Sequence, residues 1–368
     1  MFLKNRNRLK EKINILCQGG DFVSTRLTIE AESLEKKGFH TLWFLEDKKE
    51  RSRRDIYPVD IVKPRSFLAL PFQILSLLIK RRIRLVATYI MGHPKRSLFT
   101  SLAAKLLGKP NVVMLFGSDA YFYGERGLKS RIFARLVLCL ADFVIYHHPV
   151  LLRKLKEYKL FNPKNTAYIH HGVKLKPLDS FERKDKLVLY MNRFIWWKQP
   201  KLLIEAIPYV LEKIPQAKFI FLGVGDYPLV EMKAAMRVKE LGIASSVRFV
   251  PYTRDVNPFL QQASIFVNTS KIPFLNNSLL EAMERGIPAI SLQLPDVEPI
   301  IENGVNGFLC EEKPQALAEV IARLLSDEEF RQKLGRAARE TVAKGYNIED
   351  VADRYIEVFN QLLGKHNG

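Results

Sequence analysis

The sequence predicts an α/β protein made of two doubly wound, Rossmann-like domains facing each other across a cleft. Short β-rich apolar runs alternate with helix-patterned segments from end to end, the signature of βα repeats on a mainly parallel sheet. The alternation falls into two series, separated by a polar, Lys- and Pro-containing stretch over 174–186 that reads as a linker. A chain of 368 residues is long enough for two or three domains, each with its own core.

In the first series, strands are expected over 13–17, 41–45, 84–90, 111–116, 142–146 and 166–169, with helices near 24–37, 66–82, 96–107, 128–140 and 149–158. In the second, strands are expected over 187–192, 218–222, 247–250, 265–268, 287–292 and 307–310. The helices of that series fall near 198–213, 228–241, 278–285, 315–326 and 327–342. The last segment, 347–363, sets Val351, Tyr355, Val358, Phe359 and Leu362 at helical spacing, a stripe that has to pack on something. Ligands of doubly wound sheets sit outside the carboxyl ends of the strands, so the loops there are where function is sought.

Composition narrows the class. With 47% apolar, 26% charged and 11% aromatic residues the chain is neither disordered, collagenous nor a coiled coil. The longest apolar stretch free of charge, 66–79, contains Pro71, Gln73 and Ser76 and falls short of the ~20 residues a spanning helix needs. The start is charged through Lys12 and then offers only the short apolar run 13–17, so no secretory leader is expected. Cys17, Cys139 and Cys310 stand in no Cys-x-x-Cys spacing, which fits a reducing cytoplasm and argues against a disulfide framework or a zinc knuckle.

Charge is unevenly spread. Residues 1–180 hold 34 Lys+Arg against 15 Asp+Glu, while residues 181–368 hold 24 of each, so the whole +19 excess sits in one half. Such a half faces something polyanionic: a membrane surface, an anionic lipid-linked acceptor or nucleic acid. No RNA-recognition signature accompanies the charge, so no specific nucleic-acid partner is expected.

Several strand-end motifs carry chemistry. Gln18-Gly19-Gly20-Asp21 follows the first strand, where paired glycines let backbone N–H groups approach a phosphate, although turn chemistry accounts for them equally. Gly223-Val224-Gly225-Asp226-Tyr227-Pro228 has Pro228 where a dinucleotide fingerprint needs its third glycine, which sets aside an oxidoreductase. Arg193 and Lys198 follow the first strand of the second series, five residues apart. They suit a diphosphate, with arginine binding bidentately and lysine acting as a point charge; the alternative is a solvated loop.

Ser278-Leu279-Leu280-Glu281 opens a helix and reads either as a capping box or as a ligand site. In the ligand reading the Asn276–Leu280 amides, those of Asn277, Ser278 and Leu279 among them, face a phosphate while Glu281 accepts two ribose hydroxyls. His147-His148 and His170-His171 lack companions at metal-ligand spacing and read as polar loop histidines. Finally, Phe67, Leu68, Leu70, Ile74, Leu77, Leu78 and Ile79, followed by Lys80-Arg81-Arg82-Ile83-Arg84, read either as a membrane-surface helix or as a core helix with a basic last turn.

Taken in order, these motifs resemble those of retaining nucleotide-sugar glycosyltransferases of family 4, which have the GT-B fold. The resemblance rests on Arg193…Lys198, Leu222-Gly223-Val224-Gly225-Asp226-Tyr227-Pro228, Leu279-Leu280-Glu281-Ala282-Met283, Gly286-Ile287-Pro288-Ala289-Ile290 and Glu302-Asn303-Gly304-Val305-Asn306-Gly307-Phe308-Leu309. The first half resembles the family more loosely, through Gln18-Gly19-Gly20, Gly117-Ser118-Asp119, Ala141-Asp142-Phe143-Val144-Ile145 and His171-Gly172-Val173.

The resemblance implies a hexosyltransferase-type enzyme that moves a sugar from a nucleoside diphosphate to a glycan or lipid-linked acceptor. Anomeric configuration would be retained, with no cofactor and no required metal. It implies an acceptor-side N-terminal domain over 1–173, onto which a helix over 346–368 packs back, and a donor-binding domain over 174–345. Arg193 and Lys198 would be diphosphate ligands and catalytic residues, joined by Asp119, and Glu281 the ribose ligand. Gly19, Gly20, Gly223, Asn277, Ser278, Leu279 and Leu280 would line the donor, with Gly117, Ser118, Asp119 and Asn276 on the sugar and acceptor side.

Two departures stand out. Pro273 occupies the place of a family glutamate eight residues before Glu281, and Phe116 replaces a histidine before Gly117. The expected setting is cytoplasmic, peripheral on the inner face of the membrane, in cell-surface polysaccharide or glycoconjugate synthesis. The alternative is a non-catalytic homologue that binds nucleotide as a partner subunit.

Overall fold

In the computed structural model of the chain, residues 12–18, 25–44, 60–62, 69–90, 94–115, 127–158, 165–177, 186–225, 227–253, 255–272, 275–294 and 300–365 are described. The chain forms two compact units, Met1–His171 with Ile348–Gly368, and Gly172–Asn347.

Unit 1 runs β1 (Ile13–Gln18), α1 (Thr25–Lys36), β2 (Phe39–Phe44), β3 (Asp60–Val62), α2 (Leu70–Lys80), β4 (Leu85–Ile90), α3 (Pro94–Leu106), β5 (Asn111–Leu115), α4 (Leu128–Cys139), β6 (Phe143–Tyr146), α5 (Pro149–Glu157) and β7 (Thr166–Tyr168). Its strands form one parallel sheet in the order β3-β2-β1-β4-β5-β6-β7. Alternate strand residues point to opposite faces. Ile15 and Cys17 therefore meet a layer that includes α12 (Ile348–Lys365), while Leu16 meets Leu70, Ile74 and Leu78 of α2. The stripe of α12 is spent there: Val351, Tyr355, Val358, Phe359 and Leu362 are all buried.

Unit 2 runs β8 (Leu187–Met191), a 3-10 turn (Trp196–Lys198), α6 (Pro200–Lys213), β9 (Lys218–Val224), α7 (Pro228–Glu240), β10 (Val247–Pro251), α8 (Asn257–Gln262), β11 (Ile265–Asn268), α9 (Asn277–Glu284), β12 (Ala289–Leu292), β13 (Gly307–Cys310), α10 (Pro314–Ser326) and α11 (Glu328–Gly345). These strands are also parallel, in the order β10-β9-β8-β11-β12-β13. β8, β11 and β12 are buried along their whole length, as strands covered by helices on both faces must be. Proline opens α6, α7 and α10, where its fixed φ suits the first helical turn and its missing N–H costs nothing.

The structure departs from the sequence expectation in small elements. β3 was not anticipated: its three residues sit between Pro58 and Pro64, and it pairs only at the sheet edge, through β2. α8, six residues long, is not among the expected helices. The helix expected over 198–213 starts at Pro200, because a 3-10 turn and a left-handed Gln199 (φ 47°) precede it.

Candidate functional site

Strand order reverses between β8 and β11 in unit 2, and the candidate residues gather where those two strands end. After β8 the chain buries Phe194 and Ile195 completely and leaves Arg193 exposed, so the apolar pair pins the loop that carries the cation. The turn that follows is tied from two sides. Tyr190 Oη donates to the Lys198 carbonyl at 3.1 Å, and Thr269 Oγ1, just past β11, lies 2.8 Å from it and 2.9 Å from the Gln199 carbonyl. The Lys271 amide donates to Trp197 at 2.7 Å.

Lys198 as a residue keeps partial exposure, but protein atoms crowd its ammonium. That desolvation, with the Arg193 charge beside it, pulls its pKa down to about 8. Neither cation makes an ion pair among the described residues. Their mutual repulsion is thus uncompensated, an arrangement that an anion would relieve.

Gly223 brings β9 flush against this loop. Its φ is +115°, and a Cβ there would lie 2.5 Å from the Asn192 carbonyl oxygen, so only glycine fits. Further along, the Gly225 and Tyr227 amides both donate to Glu231 Oε1, at 2.7 and 3.0 Å. The first turn of α7 therefore ties down the glycine-rich loop through Glu231, a carboxylate absent from the sequence expectations.

The capping-box reading of Ser278 is corrected. α9 begins at Asn277 with Asn276 as its N-cap, so Ser278 lies inside the first turn, and no Ser278–Glu281 hydrogen bond occurs among the described residues. The Leu279 and Leu280 amides close the turn onto the Asn276 carbonyl, and both side chains are core. The Asn277 and Ser278 amides have no acceptor among the described residues.

The Asn276 side chain donates to Asn192 Oδ1 (2.8 Å) and Asn268 Oδ1 (3.3 Å), and Asn268 Nδ2 donates to Ser291 Oγ (3.1 Å). This network bridges the ends of β8, β11 and β12. Two buried atoms, Asn192 Nδ2 in this network and the neighbouring Asn277 Oδ1, have no hydrogen-bond partner among the described residues. Sequence reasoning missed Asn192, Asn268 and Ser291; the available signal was an asparagine at the end of each of two apolar strands.

Glu281 and Glu284, one turn apart on α9, are treated oppositely. Glu284 is buried and accepts from Arg285 Nε (3.3 Å), Arg339 Nη1 (3.1 Å) and the Lys176 amide (2.8 Å). Glu281 has no hydrogen bond or ion pair among the described residues, and its pKa is pushed up to about 7. Desolvation is the main cause; Lys176 opposes it and Glu284 adds to it.

Gly19, Gly20, Phe116, Gly117, Ser118, Asp119 and Pro273 lie outside the described residues. The histidines of unit 1 lie in loops, as expected, and His147, His148, His170 and His171 are all buried there. His147 Nδ1 lies 2.6 Å from the Ile169 carbonyl, which fixes it as the donor. Arg354 Nη1 reaches His170 Nε2 at 3.1 Å, so that nitrogen accepts and Nδ1 donates to the His171 carbonyl. Burial is the main reason the His170 pKa falls below its ordinary value. Among the described residues no group of three or more His, Cys, Asp or Glu is placed to hold a metal.

Two parallel, doubly wound units define an α/β class, and the fold is that of the GT-B glycosyltransferases. The crystal structure of Anabaena Alr3699/HepE, which holds UDP and glucose, matches with a TM-score of 0.78 at 18% identity, covering 95% of this chain and 100% of that one.

At the level of sequence, the family model of glycosyl transferases group 1 matches residues 176–341, within unit 2. The putative glycosyltransferase EpsD of Bacillus subtilis (strain 168) is 30% identical over 186 residues, 50% of this chain and 48% of that protein. The poly(ribitol-phosphate) alpha-N-acetylglucosaminyltransferase of Staphylococcus aureus (strain COL) is 25% identical over 202 residues, 54% of this chain and 40% of that protein. The chain thus spans about half the length, or less, of these curated relatives.

Proposed function

We propose that the chain is a retaining glycosyltransferase of family 4, moving a sugar from a nucleoside-diphosphate donor to a glycan or lipid-linked acceptor of the cell surface, without a required metal. The observation that carries the reading is the uncompensated Arg193–Lys198 pair beside the β8–β11 switch point. A departing diphosphate gains negative charge as the glycosidic bond breaks, and cations already fixed there stabilise it without reorganisation. The free Asn277 and Ser278 amides of α9 add partial positive charge on the same side of the sheet. Glu281 would accept the two ribose hydroxyls as a carboxylate, and the asparagine network would offer hydrogen bonds to the donor sugar in place of the carboxylate missing at Pro273.

In this reading unit 2 holds the donor, and unit 1 serves the acceptor with Asp119 and the Gly19-Gly20 and Gly117-Ser118 loops. The basic charge of residues 1–180 would keep the protein on the cytoplasmic face of an anionic membrane.

Calorimetric titration with UDP, GDP and ADP, then with the matching nucleotide sugars, tests the proposal. One nucleotide is expected to bind and its sugar form to be consumed. Binding without consumption, even with crude lipid acceptors supplied, would favour the non-catalytic partner subunit suggested by Pro273; no binding at all would overturn the site.

A further inference from the structure

Helices on the two sides of the unit 1 sheet differ in charge, with α5 (Arg153, Lys154, Lys156 and Glu157) mixed. On one side, α1 and α12 bear seven Asp and Glu against four Lys and Arg. On the other, α2, α3 and α4 bear seven Lys and Arg and not one acidic residue. The turn after α2 adds Arg81, Arg82 and Arg84, so ten Lys and Arg lie on these three helices and the turn beside them.

That surface is also apolar. On α4, Leu128, Ile132 and Leu136 stand one turn apart and are 71%, 49% and 45% exposed, while Ala134, Val137 and Leu138 face inward. α3, which touches both α2 and α4, exposes Leu102 and Leu106. α2 buries Leu70, Ile74 and Leu78 but exposes Phe72 and Ile79, two turns apart on its outer side. It is therefore a core helix and an exposed apolar helix at once. A single exposed leucine needs no explanation, but large aliphatic side chains on three adjoining helices do.

Unit 2 provides the contrast. α7 exposes Leu229, Met232 and Met236, but among both signs of charge, and its Arg237 is paired with Glu205 and Glu240. Among the described residues, α2, α3 and α4 join exposed aliphatics to cations and hold no carboxylate themselves, although Lys105 of α3 reaches Asp142 at 3.5 Å. Phe72 is the one strongly exposed aromatic among the described residues of this surface, and nucleic-acid binding through phosphates gains nothing from the aliphatic stripe around it. Anionic lipid asks for this combination: apolar side chains to enter the interfacial layer and cations at headgroup level.

We propose that the outer surface of α2, α3 and α4 is a docking face for an anionic phospholipid bilayer, with Lys80, Arg81, Lys129 and Arg135 at the headgroups. The inference rests on the membrane reading above and locates it on unit 1.

Co-sedimentation of the full chain with phosphatidylcholine vesicles, with and without phosphatidylglycerol, tests it at low and high salt. The unsubstituted protein is expected to bind the anionic vesicles, less so at high salt. Ile132→Gln with Leu136→Gln should weaken binding about tenfold with an unchanged melting temperature, and Lys129→Gln with Arg135→Gln should do so independently. Met232→Gln with Met236→Gln, on α7, should bind like the parent. If the parent ignores anionic vesicles, the membrane reading itself falls. If the parent binds and neither α4 pair weakens it, or the α7 pair weakens it as much, the membrane reading stands and this face is overturned.

Discussion

At the carboxyl end of the unit 1 sheet, four histidines follow β6 and β7 and pack on one another, with His147 and His170 tied to nearby carbonyls and to α12, while the buried Tyr168 Oη beside them has no hydrogen-bond partner among the described residues. His147 and His171 stack at 5.0 Å, Tyr355 Oη lies 3.4 Å from His147 Nε2, and Arg354 caps His170. At the same end of the unit 2 sheet, Arg193, Lys198 and Glu281 have no partner among the described residues. The topology is alike and the chemistry is opposite. Buried polar groups that satisfy each other hold a fold together, whereas the Lys198 ammonium and the Glu281 carboxylate, desolvated without partners among the described residues, cost folding free energy and make sense toward a ligand.

The largest test of that contrast is at the cations. Arg193→Ala or Lys198→Ala should lower turnover about 100-fold or more with the melting temperature preserved, since neither side chain braces the fold. Parent-like rates in both variants would erase the distinction between the two strand-end regions.

Next comes Glu281→Gln, expected to weaken nucleotide binding about tenfold through loss of a charge-assisted hydrogen bond. Its stability effect has the opposite sign. The folded-state pKa of Glu281 is raised to about 7, so ionisation takes stability away progressively as pH rises from its unfolded value through 7. At pH 8 the glutamine variant should melt no lower than the parent, and a clear drop would mean that Glu281 is a structural residue after all.

Unit 1 should respond in reverse. Tyr355→Phe is expected to cost about 1 kcal/mol of stability by denaturant titration and to leave nucleotide affinity unchanged.

The smallest effect is a pH profile. Below about 7 Glu281 takes up a proton, and above about 8 Lys198 loses one, so nucleotide affinity should peak between these values and fall a few-fold on either side. An affinity flat from pH 6 to 9 would remove both groups from the contact.

How far the site was legible in the sequence differs from residue to residue. Arg193 and Lys198 were found because a strand end followed by spaced cations is a local pattern. Glu281 was found, yet its Ser-x-x-Glu spacing equally fitted a cap, and only the start of α9 at Asn277 decided against it. Asn192, Asn268 and Ser291 escaped because they are 23 to 99 positions apart in the chain and meet only when β8, β11 and β12 lie side by side. The burial of the loop histidines was illegible for the same reason: the partners of His170 and His147, Arg354 and Tyr355, arrive from the far end of the chain.

Most strand and helix positions, the two βα series and the one-sided charge were determined by the sequence alone, because apolar periodicity and net charge are properties of neighbours along the chain; β3 and α8, too short for periodicity, were not. The tertiary structure decided which polar groups are partnered, which amides remain free and which face of unit 1 gathers the cations with the exposed aliphatics. Those depend on desolvation and on contacts between distant segments, and no spacing along the chain encodes either.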